Sequence, residues 1–200
     1  DGNGFVDDVF GINAITGANK NGNPNDDNGH GTHVAGTIGA VANGGGPAVG
    51  VAWNVRIMAL KFLGSRGGGY LNDAITCIDY AIANGARVIN ASFGGGGYSQ
   101  AGFDAIQRAN QAGIIFVAAA GNDEKDNDWR NTYPSGYEVE NIISVAAIDR
   151  SGRLANFSNY GRTQVDLGAP GVAIFSTWAN SDSSYLSISG TSMASPHVAG

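Results

Sequence analysis

Ile114-Ile115-Phe116-Val117-Ala118-Ala119-Ala120-Gly121-Asn122 is an unbroken apolar run that stops on a glycine and an amide. Apolar runs of this length, closed by turn formers, fit a buried β-strand. Upstream, Ser99 offers a helix cap, Phe103, Ile106 and Ala109 form one apolar stripe, and Gly113 ends the helix. Further upstream Leu71, Ala74, Ile75, Ile78 and Ile82 recur at helical spacing, with Asn84-Gly85 as the stop. Strands are expected at 56–62, 87–92, 114–119 and 142–148, with shorter ones at 164–166 and 173–176. Two more helices are expected, from His30 to about Ala42 and from Ser192 onward. The alternation predicts an α/β fold of three layers, a mainly parallel β-sheet with helices on both faces.

In such sheets ligands gather at the carboxyl ends of the strands. Ser92-Phe93-Gly94 and Gly121-Asn122 fall at two of those ends. Two further segments carry reactive side chains: Asn28-Gly29-His30-Gly31-Thr32-His33-Val34-Ala35-Gly36, and Gly190 to Gly200, which reads Gly-Thr-Ser-Met-Ala-Ser-Pro-His-Val-Ala-Gly. A serine at a helix start lies beside unpaired N–H groups and the positive end of the helix dipole, a setting that favours a developing oxyanion. Serine, histidine and an amide are the nucleophile, base and oxyanion donor that acyl transfer needs.

These three segments, in the order His, Asn, Ser, resemble the subtilisin-like serine peptidases. The resemblance covers nearly the whole chain, including Val88 to Gly95, Phe157 to Gly161 and Leu167 to Gly171. It implies a nucleophile at Ser192, a base at His30 and an oxyanion donor at Asn122, with His33 a packed structural partner. The family's acid lies in an Asp-Thr-Gly or Asp-Ser-Gly motif upstream of the histidine, and no such tripeptide occurs here. The expectation is therefore a partial catalytic domain over residues 1–200, truncated at both ends, its aspartate outside the chain and the isolated piece inactive. The competing reading is a catalytically inactive peptide-binding pseudopeptidase.

Other chemistries fit less well. His30 and His33 lack the glutamate of a zinc His-Glu-x-x-His site. A Gly-x-Ser-x-Gly hydrolase elbow needs an acid and a histidine downstream, and no acid follows Ser192. A net charge of −6, with 11 Lys and Arg against 17 Asp and Glu, offers no basic face for nucleic acid. No apolar run approaches a membrane span. The 200 residues are 42% hydrophobic and 14% charged, which suits one globular domain, and the lone Cys77 leaves no internal disulfide.

The resemblance also implies polypeptide substrates, a monomer, a secreted or periplasmic setting and no cofactor for the chemistry. Gly67-Gly68-Gly69 and Ser92-Phe93-Gly94 resemble the two extended segments that grip a substrate's main chain. Ala119-Ala120-Gly121 would form one wall of the primary pocket. Thr132 near its floor would make it shallower, and Asp123 could admit basic side chains. An apolar preference with tolerance for Arg or Lys follows. For structural calcium two places are candidates. Asp1, Asn3 and Asp7 match the middle of an EF-hand-type loop, but Phe10 stands where the bidentate glutamate belongs, and a solvated turn is the alternative. Val41 and Asn43 resemble part of the family's calcium loop, lengthened here by Gly44-Gly45-Gly46-Pro47.

Overall fold

The alternation of Phe116, Val117 and Ala118 sends successive side chains to opposite sheet faces, and both faces are covered. The computed structural model describes residues 4–6, 8–17, 21–42 and 46–200. Its elements run β1 (Gly11–Asn13), α1 (His30–Gly39), β2 (Ala59–Lys61), α2 (Leu71–Ala83), β3 (Val88–Ala91), α3 (Gln100–Gln111), β4 (Ile115–Ala119), β5 (Ile142–Ile148), β6 (Leu167–Pro170), β7 (Ile174–Thr177), β8 (Tyr185–Ile188) and α4 (Thr191–Ala199).

A parallel sheet of order β3-β4-β5-β6 forms the centre, with β1-β2 a parallel pair and β7-β8 an antiparallel hairpin. On one face Ile78 and Ala81 of α2 and Ile106 and Ala109 of α3 pack on Ile89, Phe116 and Ala118. On the other, Ala194 and Val198 of α4 pack on Val117, Val145 and Ala147. Burying a side chain the size of Phe116 contributes about 2–3 kcal/mol. The α/β, mainly parallel expectation holds.

Several boundaries move and two strands are new; the strand expected at 56–62 shortens to β2, because β1 pairs only with Ala59, Leu60 and Lys61. Residues 164–166 are not a strand; β6 begins at Leu167 instead. Asp166 exchanges two bonds with Ser144, its N–H donating at 3.0 Å and its carboxylate accepting from Ser144 N at 2.8 Å, and so docks the chain for β6. Pro170 is tolerated because β6 is an edge strand. Helix α1 ends at Gly39 rather than near Ala42, because Val51 and Ala52 donate to the carbonyls of Thr37 and Ile38 and close its last turn. The three-residue β1 and the β8 arm of the hairpin have no counterpart among the strands expected from the sequence.

Strands β2 and β3 belong to different sheets. Between them lies a cavity of about 1670 Å³, bordered by Met58, Leu60, Val88, Asn90 and His30.

Candidate active site

The base candidate stands at the first position of α1. Gly29 precedes it with φ 104°, and a methyl there would lie 2.5 Å from the Trp178 ring, so only glycine fits. The turn is drawn together by Asp26: one carboxylate oxygen accepts from Asn28 N and Gly29 N, both at 2.9 Å, and the other from Thr32 N at 2.9 Å and Thr32 Oγ1 at 2.7 Å. Burial alone would raise the Asp26 carboxyl, but the bonds from Gly29, Thr32 and Asn28 outweigh it and hold its pKa at about 2. Burial pushes the His30 imidazole down, His33 pushes the same way, and Asp26 opposes both. A ring so placed is neutral at neutral pH, as a general base must be.

His33 is fully buried. Its Nε2 lies 2.9 Å from the Ile174 carbonyl and 3.1 Å from that of Leu186, so this nitrogen carries the proton. The ring fastens α1 to β7 and β8.

The nucleophile candidate lies in the first turn of α4, and Pro196 explains much of its setting. Proline has no N–H, so the Ser192 carbonyl, four residues earlier, loses its helical donor. Ser92 Oγ supplies one instead at 2.8 Å. The same oxygen accepts from Asn90 Nδ2 and lies 2.8 Å from Ser195 Oγ, filling its bonding capacity. In return Ser192 Oγ donates to the Ser92 carbonyl at 3.1 Å. The serine hydroxyl therefore rests on Ser92 and not on the imidazole. Among the described residues no hydrogen bond joins the side chains of His30 and Ser192, although His30 and Ser92 border the same cavity.

Asn122 is oriented by its neighbour. Its Oδ1 accepts from Thr191 N at 2.8 Å and Thr191 Oγ1 at 2.9 Å, which turns the amide nitrogen the other way. A methyl group placed on Gly190 would lie 3.8 Å from Asn122 Nδ2 and 3.7 Å from Ser192 N. Asn122 Nδ2 and Ser192 N thus both lie near the Gly190 backbone, with Met193 Sδ as close. N–H groups are the donors that a developing oxyanion needs.

The chain around Asn122 is anchored by Asn159, which is fully buried. Its Oδ1 accepts from Asp123 N at 2.8 Å and Lys125 N at 3.1 Å, and its Nδ2 lies 3.1 Å from Ala120 O, Asn127 Oδ1 and Thr132 Oγ1. Gly121, at φ 111°, lies so close that a Cβ would collide with Asn159 Nδ2. Sequence reasoning misses Asp26, Asn159, Thr191 and Ser195 as supports. Each lies in or beside a quoted motif, but only the fold shows what it bonds.

The proposed substrate residues fall into two groups. Gly67, Gly68, Gly69, Ser92, Phe93 and Gly94 border the cavity that His30 borders. Ala119 and Ala120 are buried at the end of β4, with Gly121 just beyond. Thr132 links the two groups: its methyl would lie 3.5 Å from a Cβ on Gly94 and 3.3 Å from one on Gly121. Asp123 is paired with Lys125 at 3.0 Å on the surface, so it already has a cationic partner. Of the calcium candidates, Asp1, Asn3, Asp7 and Asn43 lie outside the described residues, and Val41 is exposed. Among the described residues no group of three or more metal-binding side chains occurs.

Residues 3–200 match the model of the subtilase family. The chain belongs to the subtilase family. It is 43% identical over 194 residues to subtilisin DY of Bacillus licheniformis, covering 96% of this chain and 67% of that protein. It is 44% identical over 175 residues to a thermostable alkaline protease of Halalkalibacterium halodurans, covering 88% of this chain and 46% of the relative. The minor extracellular protease Epr of Bacillus subtilis is 42% identical over 174 residues, 87% of this chain and 26% of its own length. A crystal structure of a cold-adapted subtilisin-like serine proteinase aligns with a TM-score of 0.80 at 41% identity, over 95% of this chain and 64% of that one. The chain thus spans from about a quarter to two thirds of the length of these subtilases.

Proposed function

We propose that the protein carrying this chain is a serine endopeptidase acting on polypeptides outside the cytoplasm, the setting named for one relative. The observation that carries the reading is that Asn122 Nδ2 and Ser192 N lie near the same point of the turn before Ser192, 3.8 and 3.7 Å from where a Cβ on Gly190 would stand, while Thr191 holds the Asn122 amide oxygen. His30 accepts the Ser192 proton as the oxygen attacks the scissile carbonyl. The two donors hold the oxyanion, and the imidazolium gives its proton to the leaving amine. Water then attacks the acyl-serine by the same route in reverse, freeing the acid and restoring Ser192. No metal or cofactor takes part in these steps.

The aspartate that orients His30 is supplied from outside this chain, on a strand seated between β2 and β3. Three features support this: the facing strands share no hydrogen bonds, the cavity between them reaches His30, and the buried Asn90 Oδ1 on its wall has no partner among the described residues. Thr132, whose methyl lies near both Gly94 and Gly121, limits the depth of the primary pocket and favours medium-to-large apolar side chains. Lys125 on Asp123 leaves only modest tolerance for a basic one.

The test is a fluorophosphonate probe on the complete protein, with the adduct located by mass spectrometry. Labelling at Ser192, lost in Ser192→Ala together with peptide hydrolysis, is expected. A folded protein that binds peptides yet takes no label at Ser192 is the inactive relative instead.

A further inference from the structure

Asp26 has no part in the reaction steps above, yet it is the most heavily bonded carboxylate beside the base. It accepts four hydrogen bonds, from Asn28 N, Gly29 N, Thr32 N and Thr32 Oγ1, at 2.7–2.9 Å. The donors lie on both sides of His30 in sequence, so the carboxylate fixes the path of the backbone into and out of that residue. Gly29, the residue capping α1, contributes no side-chain bond to the helix start; the cap comes from further back in the turn.

The charge matters as well as the geometry. His30 sits at the first position of α1, where the helix dipole places partial positive charge. Such a site disfavours the imidazolium that a serine peptidase must form in each cycle. A carboxylate bonded into the same helix turn supplies the opposite sign. We propose that Asp26 is a positioning residue for the base, locking the turn that presents His30 and offsetting the positive helix end against which the imidazolium must form. This rests on the peptidase reading for its purpose, but not for its measurement.

The other titratable groups around His30 are few. His33 shares its helix and opposes protonation. Cys77, on α2 across the smaller cavity, is a thiol pushed up to about 12 by burial and by Asp73, and so carries no charge. Lys61 of β2 is bonded to Asp27 at 2.6 Å, and Arg56, Arg87 and Asp8 border the larger cavity. The incoming aspartate of the proposed strand is a further partner.

The direct readout is the NMR titration of the His30 ring in the complete protein, in a Ser192→Ala background that prevents self-cleavage. Asp26→Asn keeps the shape and removes the charge, and the His30 midpoint is expected to fall by ~0.5–1 pH unit. Thr32→Val removes one of the four bonds and keeps the charge; it should lower the melting temperature and leave the midpoint in place. An unchanged His30 midpoint in folded Asp26→Asn overturns the proposal, as does an equal fall in Thr32→Val. In the enzyme with Ser192 intact, the acid limb of kcat/KM should move down with the ring. A ring midpoint that falls while the limb stays supports the role of Asp26 and overturns His30 as the base.

Discussion

Around Ser192 the polar groups are tied to one another: Ser92 bonds Ser192 at both its hydroxyl and its carbonyl, Thr191 holds Asn122, and Asn159 holds the turn beyond it. Around His30 the backbone is equally well fixed, but the ring borders an open cavity and shares no hydrogen bond with the serine among the described residues. The proposed nucleophile and oxyanion donors are held by bonds within this chain. The proposed base, His30, has its backbone fixed within this chain, and in the proposed reading its ring is oriented by an element from outside it. An apo site with a loose base contact is common among hydrolases, because that bond tightens in the substrate complex.

The contrast can be broken at several points. Asn122→Ala in the complete enzyme should lower kcat by about 10²–10³ with little change in KM, a scale taken from the oxyanion asparagine of subtilisin itself. A KM effect without a kcat effect would move Asn122 from the transition state to substrate binding. Asn159→Ala strands the bonded groups of Ala120, Asp123, Lys125, Asn127 and Thr132, and should cost about 2–4 kcal/mol in a urea melt. A cost near zero would mean that the serine side is no more rigid than the histidine side. Thr132→Gly should raise kcat/KM for a large aromatic side chain over a small one by about tenfold, read with paired chromogenic peptides. An unaltered ratio would take Thr132 out of the pocket.

Much of the fold is legible in the sequence because its signals are local. The strand expected at 142–148 coincides with β5, and α2 and α3 follow their apolar stripes and their Asn84-Gly85 and Gly113 stops. What escapes is short or defined by pairing. β1 has three residues, and β8 follows the serine-rich stretch Ser181 to Ser184, whose composition points to a loop. Leu167-Gly168-Ala169-Pro170 lies just past the strand expected at 164–166, yet forms the edge strand because β5 offers it a partner. In the candidate site, His30, Asn122 and Ser192 stand out because each lies at or close to the end of a regular element inside a recognisable motif. Their supports do not, because the bonds from Ser92 to Ser192 and from Asn159 to Asp123 and Lys125 join residues 100, 36 and 34 positions apart. Periodicity carries no trace of pairings over such spans.

The double grip of His33 on Ile174 and Leu186 ties the first long helix to a hairpin made 141 and 153 residues later. Contacts of that reach close late in folding. A chain emerging from the ribosome therefore carries a finished serine-peptidase vocabulary without its syntax. The His33 imidazole gains its two carbonyl partners only once the chain has been made as far as Leu186.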